Sequence, residues 1–372
     1  MRVRLVDLSV IGLTLIGLPA TGRASELDRA WLRGSQVEDT GPGYPVFPSA
    51  QSYAPPPASR SYPATSAPVR AVAPATPAQL HGFTFEFGTR IWYSTGKLAK
   101  DLFDDPRAST NLNSRLTYSG LTTATFEGFG RADTPIGAFL KGFAGFGNLR
   151  SGTLNDEDFP PGITPYSSTL SQQQGGRLAY ASVDIGQTVF KTERGSIGLF
   201  AGYGFLAEST NAFGCSQVAG NPKVCVPTIA SGIEAISEDT HWQFARLGIL
   251  GEVKLLDRLK FSGEFAWLPF EQLTGLDTHW LRLGGTPLAI SGPIPEFGGG
   301  TGFQIEAVLS YQLAERATVG LGGRYWFMET RGNADFERVI VGFPAPAELQ
   351  PLNFSTTRYG GFAQGSYKFG PL

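Results

Sequence analysis

With only two cysteines and three histidines among 372 residues, the chain cannot furnish the four cysteines of an iron–sulfur centre, and a metal site would want more ligands than the two cysteines and one nearby histidine supply. Charge is nearly balanced at −2, so the chain lacks the basic footprint of a nucleic-acid binder. After the first 25 residues no second apolar run reaches the length of a membrane-spanning helix. The chemistry must therefore come from carboxylates and the occasional imidazole, and any membrane crossing from strands.

The N-terminal residues address the compartment. Arg2 and Arg4 precede the apolar run "LSVIGLTLIGLPA", and the small residues Gly22 and Ala24 follow it, the pattern of a secretory signal spanning 1–24. Asp7 disfavours such a signal slightly, and an uncleaved anchor is the alternative. Residues 25–80 carry ten prolines among many alanines and serines, with no apolar periodicity. Such a stretch cannot bury enough surface to offset its ordering entropy and reads as an extended periplasmic linker, open to a partner such as peptidoglycan or a protein.

From residue 81 to 372 alternation with a period of two takes over, among 48 glycines and 12% aromatics for the whole chain. In "FQIEAVLSYQL", Phe303, Ile305, Leu309 and Tyr311 share one face, while Gln304, Glu306, Ser310 and Gln312 share the other. Connections alternate in length. Tight turns fall near "RADTPIG", "KTERGS", "LLDRL" and "LAERA", and stretches of roughly 20 to 30 residues separate the remaining strands. This pattern predicts an all-β fold, a ten-stranded antiparallel transmembrane β-barrel of the outer membrane with short periplasmic turns and five long extracellular loops. The expected strands are 82–94, 114–131, 137–149, 177–190, 196–210, 240–255, 259–273, 301–313, 316–329 and 354–369. Ten strands leave an interior largely filled by side chains, so chemistry belongs at the external rim.

Cys215 and Cys225, ten residues apart in the third long loop, are expected to form a disulfide in an oxidising compartment. At the rim, "LNDEDFPPG" places Asp156 and Asp158 two residues apart, on one side of a strand if the strand continues through them. Asp277 and His279 share that spacing. Facing each other, the two pairs would activate water: an imidazole base oriented by one carboxylate, opposite an aspartate pair that shares a proton. Asp-x-Asp in a Gly- and Pro-rich loop is also compatible with a merely solvated turn or a weak calcium site.

The order of these segments resembles the omptin family of outer-membrane proteases. "SRLTY" resembles the start of that family's second strand, and "GFAGFGNLRSGTLNDEDF" its third strand running into the aspartate pair. "GLFAGYGF" and "ARLGILGEVKLLDRLKFSGEFAW" are similar to its fifth strand and its sixth-to-seventh hairpin, and "LDTHW" stands where its Asp-x-His dyad does. The resemblance covers the chain from about residue 83 to its end. It implies an extracellular endopeptidase acting on peptides or proteins without a covalent intermediate. Asp156 and Asp158 would be the pair, His279 the base and Asp277 its orienting partner. It also implies lipopolysaccharide as a lipid partner needed for activity, although no matching outer-wall motif can be placed here.

Two departures stand out. The family selects basic side chains through acids at the cleft floor, one of them two residues before the dyad aspartate, where this chain has Gly275; Asp101 is an approximate match for the other. The tetrapeptide Asp-Thr-His-Trp also occurs twice, and its first copy makes Asp239 and His241 secondary candidates at the rim, as packing residues, a rival base or half of a two-histidine metal site. The competing reading is a non-enzymatic barrel, an adhesin or envelope structural protein, with a narrow porin as a third.

Overall fold

A computed structural model describes residues 82–105, 108–159, 165–283, 292–336 and 349–370; the expected signal segment and linker lie outside the described residues. The described chain is almost entirely strand: β1 (Thr84–Asp105), β2 (Ala108–Asp133), β3 (Ala138–Asp158), β4 (Ser167–Gln173), β5 (Arg177–Lys191), β6 (Gly195–Gln217), β7 (Ile229–Leu256), β8 (Leu259–His279), β9 (Ile294–Gln312), β10 (Ala317–Ala334) and β11 (Gln350–Phe369), with one 3-10 turn at Trp280–Arg282.

Ten of these eleven strands close a ring, β1-β2-β3-β5-β6-β7-β8-β9-β10-β11, and β11 pairs back onto β1 from Phe85↔Phe369 to Leu102↔Leu352. Closure satisfies the backbone in lipid and leaves no free edge among those strands. The eleventh, β4, corrects the expectation of a loop there. β5 has only 15 residues against 21 in β3 and 23 in β6, and β4 fills the wall above it, pairing with β3 at Asp156↔Thr169 and with β6 at Leu170↔Ser216.

Outward-facing Phe87, Ile91, Ile185, Leu199, Ile249, Phe265, Ile305, Leu309 and Leu321 form an exposed apolar belt. Tyr93, Tyr203, Trp267, Tyr325 and Tyr359 edge it on one side, and Phe261, Tyr311, Tyr367 and Phe369 on the other, nearer the tight turns. Paired aromatic girdles mark the two membrane interfaces. Above the upper girdle the polarity of the wall inverts: Leu98, Leu116, Leu154 and Leu273 point inward and are buried, while Lys97, Asp101 and Thr274 point outward. That inversion carries the strands into the stretches read as loops.

The interior is layered. A periplasmic-side cavity of about 300 Å³ is lined by charged groups including Arg90, Lys141, Glu252, Glu264 and Glu306. Above it Arg324 closes the lumen, with Nη1 2.7 Å from Glu127 and Nη2 2.6 Å from Glu306, inside an aromatic box of Trp92, Phe143, Tyr180 and Trp326. Glycines make room for the rings: a Cβ on Gly322 would lie 2.3 Å from Phe362, and one on Gly145 2.5 Å from Tyr180. Higher still, Leu98, Tyr118, Leu121, Trp242, Leu268 and Phe354 form an apolar core beneath the mouth. The sulfurs of Cys215 and Cys225 are bonded, as expected.

Candidate active site

β3 does continue through its acidic end, so Asp156 and Asp158 occupy alternate positions on the face of buried Leu154. Asp277 and His279 end β8 in the same way, on the face of Leu273 and Gly275. Asp277 lies ten residues beyond the girdle residue Trp267, ~25 Å above the membrane interface for strands rising about 3.3 Å per residue at a tilt of about 40°. His279 Nε2 is 3.0 Å from Asp277 Oδ2. The next residue, Trp280, anchors the turn that follows, its Nε1 donating to Ser237 Oγ at 3.0 Å.

The two pairs share one cleft, since each titrates in the field of the other. Burial, followed by the charge of Asp158, pushes Asp156 up to about 7, against the pull of His279 and Lys100. Burial also raises Asp158, opposed by a hydrogen bond from Ser114 and by Arg282 and His279. For His279, burial disfavours the imidazolium, but the charge and hydrogen bond of Asp277, with Asp156 behind them, prevail and raise it. Asp277 is the converse: burial works to protonate it, while His279 and Lys100 hold it below the usual carboxylate range. The arrangement thus sets an ionised Asp277 beside an imidazole of raised proton affinity, with two aspartates of raised proton affinity in the same field.

Beneath the dyad the structure holds groups that sequence reading missed. Lys100 Nζ lies 2.6 Å from Glu238, 2.7 Å from Asp277 and 2.7 Å from Glu296, all with side chains no more than 2% exposed. The three carboxylates have the spacing of a cation cage, and the cation in it is the Lys100 ammonium. The missed signal was parity: Lys100 follows Trp92, Ser94, Gly96 and Leu98 on the inner face of β1. Asp101, the expected floor acid, therefore points out of the barrel and is bound by Arg115, its register partner on β2, at 2.6 and 2.8 Å. Gly275 leaves the floor open to Glu238 Oε1 and Glu296 Cβ, each 3.5 Å from where its Cβ would sit.

The duplicated tetrapeptide resolves into opposite faces. In the β7–β8 register Glu238 opposes Asp277 and Asp239 opposes Leu276, one residue out of step. Adjacent residues on a strand face opposite ways, so the second copy turns Asp277 and His279 into the cleft, whereas the first turns Thr240 and Trp242 inward. Trp242 is buried in the core, packed on Phe354. His241 lies exposed on the outer wall, stacked on Phe205. The structure does not bring Asp239 or His241 to the cleft. His241→Ala is expected to leave the fold intact and stability within about 0.5 kcal/mol; urea unfolding of the variant checks this.

No protein-family model and no curated protein matches the chain. Among solved structures it is similar to the outer-membrane protease OmpT from Escherichia coli, with 15% identity and a TM-score of 0.60 over 77% of this chain and 97% of that one. It also matches the translocator domain of the autotransporter NalP from Neisseria meningitidis (12% identity, TM-score 0.32, 76% of this chain and 88% of that one). A FadL homologue from Pseudomonas aeruginosa matches at 9% identity and TM-score 0.29, over 77% and 90%. The chain is an outer-membrane β-barrel, with its polar mouth above the upper girdle. At 15% identity the likeness to OmpT establishes the fold and nothing finer.

Proposed function

We propose that this barrel is an omptin-like endopeptidase that hydrolyses peptides or proteins at its extracellular cleft, with Asp156, Asp158, Asp277 and His279 as the catalytic set. The observation that carries the reading is the hydrogen-bonded Asp277–His279 dyad set against an aspartate pair that feels its charge. A water between His279 and Asp156 loses a proton to the imidazole as its oxygen attacks the scissile carbonyl carbon. The proton held by the aspartate pair hydrogen-bonds the carbonyl oxygen as it becomes an oxyanion. Ionised Asp277 stabilises the imidazolium, which then gives its proton to the departing amine nitrogen as the C–N bond breaks. No side chain becomes covalently attached. Lipopolysaccharide is proposed as the lipid partner, and a peptide segment as the substrate.

One observation favours a non-enzymatic barrel, an adhesin or envelope structural protein: the cleft floor is filled by Lys100 and its three acids, leaving no obvious pocket for a basic substrate side chain. The Arg324 layer and the core above it weigh against a narrow channel, which would conduct ions in a planar bilayer.

The pH–rate profile of cleavage tests the proposal. The base acts as neutral imidazole, and the proton affinity of His279 is raised, so kcat/KM is expected to climb with pH through an acid limb above 6.5. An acid limb at ordinary carboxylate values, or no cleavage at any pH by folded protein, contradicts it.

A further inference from the structure

The cage beneath the dyad carries a charge problem of its own. Glu238, Asp277 and Glu296 surround one ammonium, and each keeps one buried oxygen without a hydrogen-bond partner among the described residues: Glu238 Oε1, Asp277 Oδ1 and Glu296 Oε2. Three ionised carboxylates against one cation would bury two uncompensated charges, an arrangement that a desolvated interior disfavours. Burial raises both glutamates, helped for Glu238 by the charge of Glu296 and for Glu296 by that of Asp277, against the pull of Lys100. Asp277 Oδ2 is shared between the cage and the dyad: it lies 2.7 Å from Lys100 Nζ on one side and 3.0 Å from His279 Nε2 on the other.

We propose that Lys100 is a positioning residue for the dyad, an internal cation that fixes Asp277 ionised and aimed at His279, with Glu238 and Glu296 as its other two carboxylate partners. The cage belongs to the dyad by geometry. Glu238 is the β7 residue directly across from Asp277, and Glu296 on β9 pairs with Gly275, two residues below it on the same face of β8. Gly275 lies beside both glutamates: a Cβ there would sit 3.5 Å from Glu238 Oε1 and 3.5 Å from Glu296 Cβ. Lys100 stands where a basic group from a substrate would otherwise meet the three acids, so the cleft is expected to show no preference for Arg or Lys beside the scissile bond. The groups facing the dyad are Lys100 from β1, Tyr118 from β2, Asp156 and Asp158 from β3, Glu238 from β7, Glu296 from β9 and Arg282 from the 3-10 turn. Lys100 alone among them touches Asp277 with a permanent positive charge; Arg282 bears instead on His279 and Asp158.

The inference rests on the hydrolytic reading for its purpose, yet it can be tested without cleavage. Full-length protein labelled with ¹⁵N-histidine has only three imidazoles, and the His279 signals are those lost in His279→Ala. Removing a cation strengthens proton binding by the groups around it, so in Lys100→Met the titration midpoint of the dyad is expected to rise by about one pH unit. The Lys100→Met/Glu296→Gln variant removes an acid along with the cation, which eases folding, and should shift in the same sense. In Lys100→Ala, added propylammonium should return the midpoint toward the wild-type value, a rescue that a purely structural lysine would not show. Cleavage at neutral pH should fall at least tenfold in the same variants. A shifted midpoint without cleavage by the wild type would sustain the positioning role and remove the hydrolytic reading. An unmoved midpoint in both folded variants overturns the proposal.

Discussion

His279→Ala is expected to lower peptide cleavage ~10³-fold, within the 10²–10⁴ range that a positioned general base contributes. The substitution removes the one imidazole that the described residues bring to the cleft, because His241 faces the outer wall and cannot substitute for it. Asp156→Ala should produce a loss of similar size, since Asp158 alone no longer has a partner with which to hold a proton near neutrality. The two losses should not multiply in the double variant, because groups that activate the same water act as a unit. Single-turnover cleavage by folded variants measures all three. A loss below about tenfold in either single variant would show that the pairs do not work on a common water.

The second large effect concerns stability. Arg324→Leu leaves Glu127, which is fully buried, and Glu306 to share Arg90, whose Nη1 lies 3.1 and 2.9 Å from them. Breaking a buried ion pair on one side typically costs about 3–5 kcal/mol, and that loss is expected in urea unfolding from lipid vesicles. Adding Glu127→Leu should recover part of it by removing the stranded carboxylate, where two independent effects would simply add. A loss under about 1 kcal/mol for Arg324→Leu would mean that water enters the layer and compensates both acids.

Within the membrane the fold was legible because lipid imposes one simple rule. Phe261, Phe265 and Trp267 must face outward while Lys260, Ser262 and Glu264 face the lumen, and the alternation reads directly from the chain. Above the upper girdle water replaces lipid, the apolar side chains move to the inner face, and the phase inverts. Bulges compound this: the β7–β8 register slips between Phe244/Leu247, and β8–β9 between Leu268/Glu271. Strand ends, β4 and the orientation of Asp101 were lost to that inversion. The dyad and the aspartate pair survived it because a spacing of two residues keeps both members on one face whichever face that is. The Lys100 cage could not be read at all. Its members come from β1, β7, β8 and β9, and only the closed ring brings Lys100 within hydrogen-bonding distance of Glu238 and Glu296, 138 and 196 residues away in the chain.

The most direct test of the hydrolytic site is digestion of a mixed peptide library by the full barrel, refolded and supplied with lipopolysaccharide, with products identified by mass spectrometry. Cleavage by the wild type that disappears in both His279→Ala and Asp156→Ala is the expected result, with cut positions showing no concentration at Arg or Lys. Intact peptides after incubation with verified, folded wild-type barrel, or cleavage that persists in both variants, would contradict it.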